Sequence, residues 1–231
     1  MSSTTPRSFP QHPVGDMGFP TEVVLVRHAR SADVVPGEPE SFDPPLHPDG
    51  VIQAQALARR LHPKTLDAVY ASDLIRTHQT AAPVLEGRQL DLVIRPALRE
   101  VFLGDWEGGV FRQMAADGGP EWRQFLDTGR WDAIPGAESD AALRSRMVTA
   151  VDGIAADHEG ESVLVVSHGG AINAFLAEIL GVPRTQFTAV ENTGVTIVRY
   201  GFGRRMLLTV NDTHHLYDPL LGLPSSERVV G

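Results

Sequence analysis

The chain is predicted to be an α/β protein: a three-layer α/β/α sandwich with a mostly parallel central sheet and a partly helical insertion over the active edge of that sheet. Three observations lead to this prediction. Apolar strand-like runs alternate with segments of helical periodicity over most of the 231 residues. Two strand-like runs follow each other near the C-terminus, which indicates that the sheet is not purely parallel. Glycines and tryptophans gather in one central stretch that interrupts the alternation.

The first half of the chain contains three strand candidates and two helix candidates. The apolar strand candidates are residues 21–26, 66–71 and 90–94. The first helix is expected to begin near Asp49, a plausible N-cap, and to stop before Pro63. The second helix follows the middle strand, with Ser72 or Asp73 as its cap and Arg76 in its first turn.

The insertion is expected at about residues 104–137. All three tryptophans of the chain lie between Trp106 and Trp131. Together with Phe111, Phe125 and Leu126 they are predicted to form a satellite aromatic cluster that packs the insertion onto the body of the protein.

After the insertion, Ser139 is expected to cap a long helix with one apolar face. Residues 162–166 form the clearest buried strand, and the apolar helix 171–180 follows, closed by Gly181. Two late strands, 195–200 and 206–210, are predicted to form a hairpin about residues 201–203. The sequence from Asn211 onward is predicted to lie at the surface.

These elements predict one α/β domain over residues 21–215, preceded by a mobile leader at 1–20 and followed by a tail at 216–231. The leader is rich in Ser, Thr, Pro and Gly and has no apolar core of a signal peptide. No uninterrupted apolar run approaches membrane-spanning length, so no membrane partner is expected.

The net charge of the chain indicates which classes of binding partner to expect. The chain has 20 Lys and Arg and 29 Asp and Glu, which makes the net charge 20 − 29 = −9. An acidic chain is not expected to bind nucleic acid, and an anionic substrate must be attracted by a local group of cations. The chain has no cysteine, which excludes disulfides and thiolate metal sites and fits a cytoplasmic protein.

Cationic side chains follow the ends of predicted parallel strands. His28 follows Arg27 directly after the first strand, His168 follows the strand at 162–166, and Arg76 follows the middle strand. Ligands bind at the C-terminal ends of strands in open α/β sheets. Guanidinium groups match phosphate oxygens, and backbone N–H groups near Gly169 at a helix N-terminus add to such a site. The set predicts a phosphate pocket.

Five motifs then resemble one known family. They are Arg27-His28, Ser72-Asp73-Leu74-Ile75-Arg76, Leu98-Arg99-Glu100, Gly104-Asp105-Trp106-Glu107-Gly108 and Ser167-His168-Gly169-Gly170. In this order they resemble the histidine phosphatase superfamily, also called phosphoglycerate-mutase-like, and its phosphatase branch in particular. The resemblance covers about residues 21–215 and implies an α/β sandwich with an insertion over the site.

The resemblance also implies residue roles. His28 corresponds to the nucleophile that becomes phosphohistidine, and Glu100 to the general acid for the leaving group. Arg27, Arg76 and His168 correspond to the residues that hold the phosphoryl oxygens. The expected substrate is a small phosphorylated metabolite, and no cofactor or metal is expected because these side chains supply the positive charge.

The first motif departs from the family pattern. Ala29 and Arg30 stand where Gly followed by Glu or Gln is usual, and Val34 stands where many relatives have an asparagine that contacts phosphate. That contact is therefore missing or supplied by Ser31. One hypothesis is that Arg30 favours a substrate with a second anionic group; the alternative is that Arg30 points to solvent. Gly169 replaces an aspartate that supplies the acid in some relatives, which favours Glu100.

Three alternatives stay open at this stage. A phosphomutase is one, although the 168 − 100 = 68 positions between the acid and the second histidine resemble the phosphatase branch. A non-catalytic protein that binds phosphorylated ligands is the second. A metallohydrolase that uses His28, His47 and His168 is the third, and the pair His214-His215 is interpreted as structural rather than as a metal site.

Overall fold

A computed structural model describes residue 18 and residues 20–217 of the chain. Six strands form one sheet: β1 (Thr21–Arg27), β2 (Ala68–Ala71), β3 (Leu92–Ile94), β4 (Ser162–Ser167), β5 (Val195–Gly201) and β6 (Arg204–Asp212). Six α-helices accompany them: α1 (Pro48–Leu61), α2 (Ile75–Leu85), α3 (Val110–Asp117), α4 (Pro120–Thr128), α5 (Asp140–Asp157) and α6 (Gly169–Leu180). The predicted fold class is confirmed.

The strand order in the sheet is β3-β2-β4-β1-β5-β6. Strands β1 to β4 are parallel to one another, whereas β5 pairs antiparallel with both β1 and β6. The register places Arg27 of β1 opposite Ser167 of β4. The residues that follow these two strands, His28 and His168, therefore leave the sheet at the same edge.

Helices cover both faces of the sheet because the central strands are apolar on both sides. Val23 and Leu25 of β1 pack in the core beneath α5 and α6. Val24 and Val26 point the other way, toward α1 and α2. All four valine and leucine side chains are fully buried, and the rigid layer that they form holds the strand ends in place.

Two helix caps differ from the prediction. The N-cap of α1 is His47, whose Nδ1 accepts the Asp49 N–H at 3.1 Å, so Asp49 is not the cap. Helix α2 begins at Ile75, whose N–H donates to the Asp43 carboxylate at 3.0 and 3.1 Å, rather than to Ser72 or Asp73. The cap comes from a loop 32 residues earlier, a contact that local sequence cannot indicate.

The insertion is partly helical, as predicted, and consists of α3, α4 and two 3-10 turns. Trp106, Phe111 and Phe125 form an aromatic cluster in which ring centroids lie 5.5 to 6.1 Å apart. Trp122 and Trp131 also contact these rings. Leu126 is 53% exposed and does not belong to the cluster, because consecutive helical residues point about 100° apart.

The segment from the start of α5 to the β5–β6 hairpin follows the predictions closely. Ser139 caps α5 by accepting the Ala142 N–H, and Gly181 ends α6 with φ at 64°. The hairpin of β5 and β6 turns about residues 201–203.

The prediction of a surface segment from Asn211 is wrong for the part that the structure describes. Asn211 and Asp212 complete β6, a 3-10 turn follows at His214–Leu216, and His215 is fully buried. Almost all of the predicted leader and of the predicted tail lies outside the described residues, apart from Gly18, Pro20, Leu216 and Tyr217. Within the described residues, no helix is long and apolar enough to cross a bilayer.

Candidate active site

Five predicted site residues meet at the C-terminal edge of β1 and β4. The rings of His28 and His168 have centroids 5.0 Å apart, with their planes inclined at 58°. Next to them is a cavity of about 300 Å³, lined by Arg27, His28, Arg76 and Glu100 together with Ser31 and Arg112. The parallel strands bring these groups together, and the insertion forms the wall opposite them through residues such as Trp106, Phe111 and Trp131.

The His28 ring is held in one orientation. Its Nδ1 lies 2.7 Å from the carbonyl oxygen of Ala29. Because a carbonyl only accepts, Nδ1 carries the proton and Nε2 keeps its lone pair. Burial, with the charges of Arg76 and Arg27, holds the pKa of His28 well below 6.5. His28 is thus a neutral imidazole at neutral pH, the form that can attack phosphorus.

His168 is oriented by two side chains. Arg76 Nη2 lies 3.5 Å from Nδ1 of His168, and an arginine only donates, so Nε2 carries the proton. That Nε2–H donates to Ser72 Oγ at 2.8 Å. Burial, followed by the charges of His28, Arg76 and Arg27, holds the pKa of His168 well below 6.5. Ser72 is fully buried, and the sequence had suggested it only as a helix cap.

Arg27 and Arg76 are anchored differently. Arg27 Nη1 donates to the carbonyl of Val190 at 2.6 Å, and Arg27 Nε has no hydrogen-bond partner among the described residues. Arg76 Nη1 lies 3.4 Å from the Asp43 carboxylate, the same group that caps α2. Both guanidinium groups therefore retain donors that an anion in the cavity could use.

Glu100 lies at the N-terminus of α6. Its carboxylate accepts the N–H groups of Gly170 at 3.1 Å, Ala171 at 2.9 Å and Val101 at 3.0 Å. Two N–H groups that the sequence suggested for phosphate, those next to Gly169, thus hold the candidate acid instead. A Cβ on Gly170 would lie 2.8 Å from Glu100 Oε1, so only glycine permits this approach.

The structure places Arg30 away from the cavity. Its guanidinium forms an ion pair with Asp49 and lies 3.7 Å from Asp33. The hypothesis that Arg30 meets the substrate has no support from this position. Ser31 does line the cavity, and its Oγ accepts a hydrogen bond at 2.8 Å from Arg112 of α3.

Sequence reasoning missed two contributions to the site. Arg112 belongs to the insertion, and its only signal was a position four residues after the Gly104–Gly108 motif. The loop before β5 is the second: Asn192 Nδ2 donates to the carbonyl of His28 at 2.8 Å, and the Thr193 N–H donates to that of Arg27 at 3.0 Å. This loop holds the backbone at the end of β1.

The remaining histidines of the described residues form no metal centre. His47 caps α1, and buried His215 contacts Thr193 and Arg60. The described part of the chain contains no group of three or more His, Cys, Asp or Glu side chains that could hold a metal ion.

Comparison with known proteins gives consistent results. The chain is 28% identical over 198 residues to phosphoserine phosphatase 1 of Hydrogenobacter thermophilus, covering 84% of this chain and 94% of the relative. It is 32% identical over 211 residues to a probable phosphoglycerate mutase of Proteus mirabilis, covering 85% and 95%. A putative alpha-ribazole-5'-P phosphatase structure from Escherichia coli superposes with a TM-score of 0.70 at 26% identity, covering 84% and 97%.

The family model for the histidine phosphatase superfamily (branch 1) matches residues 23–213. This range contains all five motifs, begins at the third residue of β1 and includes the other five strands completely. The predicted family is confirmed, and the chain belongs to the histidine phosphatase superfamily, branch 1.

Proposed function

We propose that this chain hydrolyses phosphomonoesters of small metabolites through a phosphohistidine intermediate on His28, without a metal ion. One observation carries the assignment of the nucleophile. The Nδ1–H of His28 is held by the Ala29 carbonyl, which leaves the Nε2 lone pair available in a cavity lined by Arg27 and Arg76. Family membership supports the reaction class.

In the first step, His28 Nε2 attacks phosphorus and the bond from phosphorus to the leaving oxygen breaks. Arg27 and Arg76 stabilise the charge that spreads over the phosphoryl oxygens. Glu100 gives its proton to the leaving oxygen. A phosphoryl dianion next to Glu100 repels a carboxylate charge, and protonation of Glu100 in the complex relieves that repulsion.

His168 changes its protonation state in this scheme. In the free protein its Nδ1 accepts from Arg76. An anion in the pocket opposes the repulsion from the two arginines, so the ring takes up a proton from solvent at Nδ1 and this Nδ1–H can donate to a phosphoryl oxygen. The ring returns that proton to solvent when phosphate leaves. The bond from Nε2–H to Ser72 is kept throughout.

In the second step, water attacks phosphorus and the bond between His28 Nε2 and phosphorus breaks. The Glu100 carboxylate takes a proton from that water. Inorganic phosphate leaves, and His28 returns to the neutral state.

The test is phosphate release from p-nitrophenyl phosphate and from a panel of metabolite phosphates, with a strong chelator present. We expect His28→Ala to lose about 1000-fold or more in kcat. The matched control is His62→Ala, because His62 is exposed at the end of α1. A phosphorylated intermediate that is labile in acid and stable in base should appear in the wild type and be absent from His28→Ala.

Three results would contradict the proposal. Turnover that survives in His28→Ala would reject the nucleophile. Turnover lost in chelator would reject a metal-independent reaction. Phosphoryl transfer to a second position of the substrate in preference to water would indicate a phosphomutase, the activity for which the Proteus mirabilis relative is named.

A further inference from the structure

We propose that Arg112 binds a second anionic group of the substrate, so that the preferred substrates are small phosphomonoesters carrying another negative charge near the phosphoryl group. The second group is a carboxylate or a further phosphate, which share the chemistry that a guanidinium recognises. This inference rests on the proposed function and names the substrate class for the same site.

The position of Arg112 is fixed by the first motif. Its Nη2 donates to Ser31 Oγ at 2.8 Å and its Nη1 donates to the Ala32 carbonyl at 2.8 Å. A guanidinium has five N–H donors, so donors remain for a ligand. Arg112 lines the same cavity as His28 and Glu100 and is exposed at its rim, where an entering molecule can reach it.

The charge of Arg112 is available to a ligand. No Asp or Glu oxygen of the described residues lies within 4.0 Å of its guanidinium, whereas Arg76 has Asp43 and Arg30 has Asp49. Glu100 is already held by three backbone N–H groups. In a chain with a net charge of −9, a pocket with such a cation selects for anions through local charge.

Arg112 lies nearer the mouth of the cavity than Arg76. Arg76 contacts His168 Nδ1 at 3.5 Å and its side chain is 12% exposed, whereas Arg112 is held by Ser31 and Ala32 and is exposed. Arg76 and Arg27 each depress the pKa of His28 more than Arg112 does. Both also depress the pKa of His168. Arg76 and Arg27 are therefore assigned to the phosphoryl group beside the two histidines, and Arg112, at the exposed rim of the same cavity, is assigned to the remainder of the substrate.

The test uses two pairs of probes that differ by one anionic group. 3-Phosphoglycerate and glycerol 3-phosphate differ by a carboxylate, and fructose 1,6-bisphosphate and fructose 6-phosphate differ by a phosphate. Both kcat/KM and calorimetric Kd are measured for each probe on the wild type and on Arg112→Met. The control, Arg123→Met, makes the same charge change at an exposed residue of α4 that does not line the cavity.

We expect the wild type to prefer the more anionic member of at least one pair, and the pair that shows the preference identifies the anion. Arg112→Met should weaken binding of that member by about 10- to 100-fold and leave binding of its less anionic counterpart within about twofold. Arg112→Lys should retain part of the preference because the charge remains.

Two outcomes would overturn the inference. Equal losses on both members would place Arg112 at the phosphoryl group or make it structural, and absence of any preference in the wild type would reject a second anion. The calorimetric Kd does not require turnover. If no probe is hydrolysed, the proposed function is rejected, and the Kd values still decide the role of Arg112.

Discussion

Replacement of buried His215 tests how the end of the described chain supports the active-site edge. Thr193 Oγ1 donates to the Asn192 carbonyl at 2.7 Å, so it accepts the His215 Nε2–H at 3.0 Å. His215 Nδ1 then accepts from Arg60 Nη1 at 3.1 Å. His215 is therefore neutral in the fold, and protonation would place a second donor against the arginine.

The magnitude follows from the pKa of His215, which burial and the Arg60 charge lower from 6.5 to about 4. As pH falls below 6.5 the unfolded chain binds a proton on this residue, whereas the folded chain binds it only near pH 4. The unfolded state binds more protons between these values, so stability present above pH 6.5 is lost as pH falls through this window. The loss is about 2 kcal/mol at pH 5 and about 3 kcal/mol below pH 4.

The assay is urea unfolding at pH 7 and pH 5 for the wild type and His215→Gln, which cannot titrate. We expect the wild type to lose about 2 kcal/mol more than the variant between these two pH values. The exposed His62→Gln should behave like the wild type. Equal pH dependence in His215→Gln and the wild type would refute the reasoning that His215 is held neutral by burial.

Two further substitutions test the geometry around the histidines and the acid. Gly170→Ala places a Cβ 2.8 Å from Glu100 Oε1 and 3.0 Å from Trp131, so the Glu100 carboxylate must move. We expect kcat to fall about 100-fold while the unfolding free energy changes little, because a shift of about 1 Å in a reacting group costs that much. Ser72→Ala leaves the buried His168 Nε2–H without its acceptor, and we expect a loss of about 1 to 3 kcal/mol in transition-state stabilisation, measured as kcat/KM.

Each of these two variants has a matched control in the same fold. Gly153→Ala on α5 meets no atom within 4 Å and should keep full activity with equal or higher stability. Ser162 Oγ is buried with no hydrogen-bond partner among the described residues, so Ser162→Ala should be neutral or stabilising. A wild-type value of kcat in Gly170→Ala would reject the prediction that displacement of the Glu100 carboxylate lowers kcat. An unchanged kcat/KM in Ser72→Ala would reject Ser72 as a positioning residue.

The local pattern of the sequence determined most of the fold and the chemistry of the strand ends. Apolar residues on both faces of β1 and β4 require helices on both sides, which is why the layered class was predictable. Parallel strands align their C-terminal ends, so His28 and His168 were expected to meet, and their ring centroids lie 5.0 Å apart. Ser139 caps the start of α5 and Gly181 caps the end of α6 through contacts within a few residues, which a sequence displays directly.

Only the tertiary structure decided which further charges join the predicted pocket and how the acid is held. Arg30 lies two residues after His28, the proposed nucleophile, yet it pairs with Asp49 away from the cavity, whereas Arg112 comes from the insertion 81 residues after Ser31. Glu100 reaches the N-terminus of α6 across 70 residues. Such contacts depend on how loops and the insertion fold back over the sheet, and neither periodicity nor motif spacing encodes that path. The burial of His215 has the same cause.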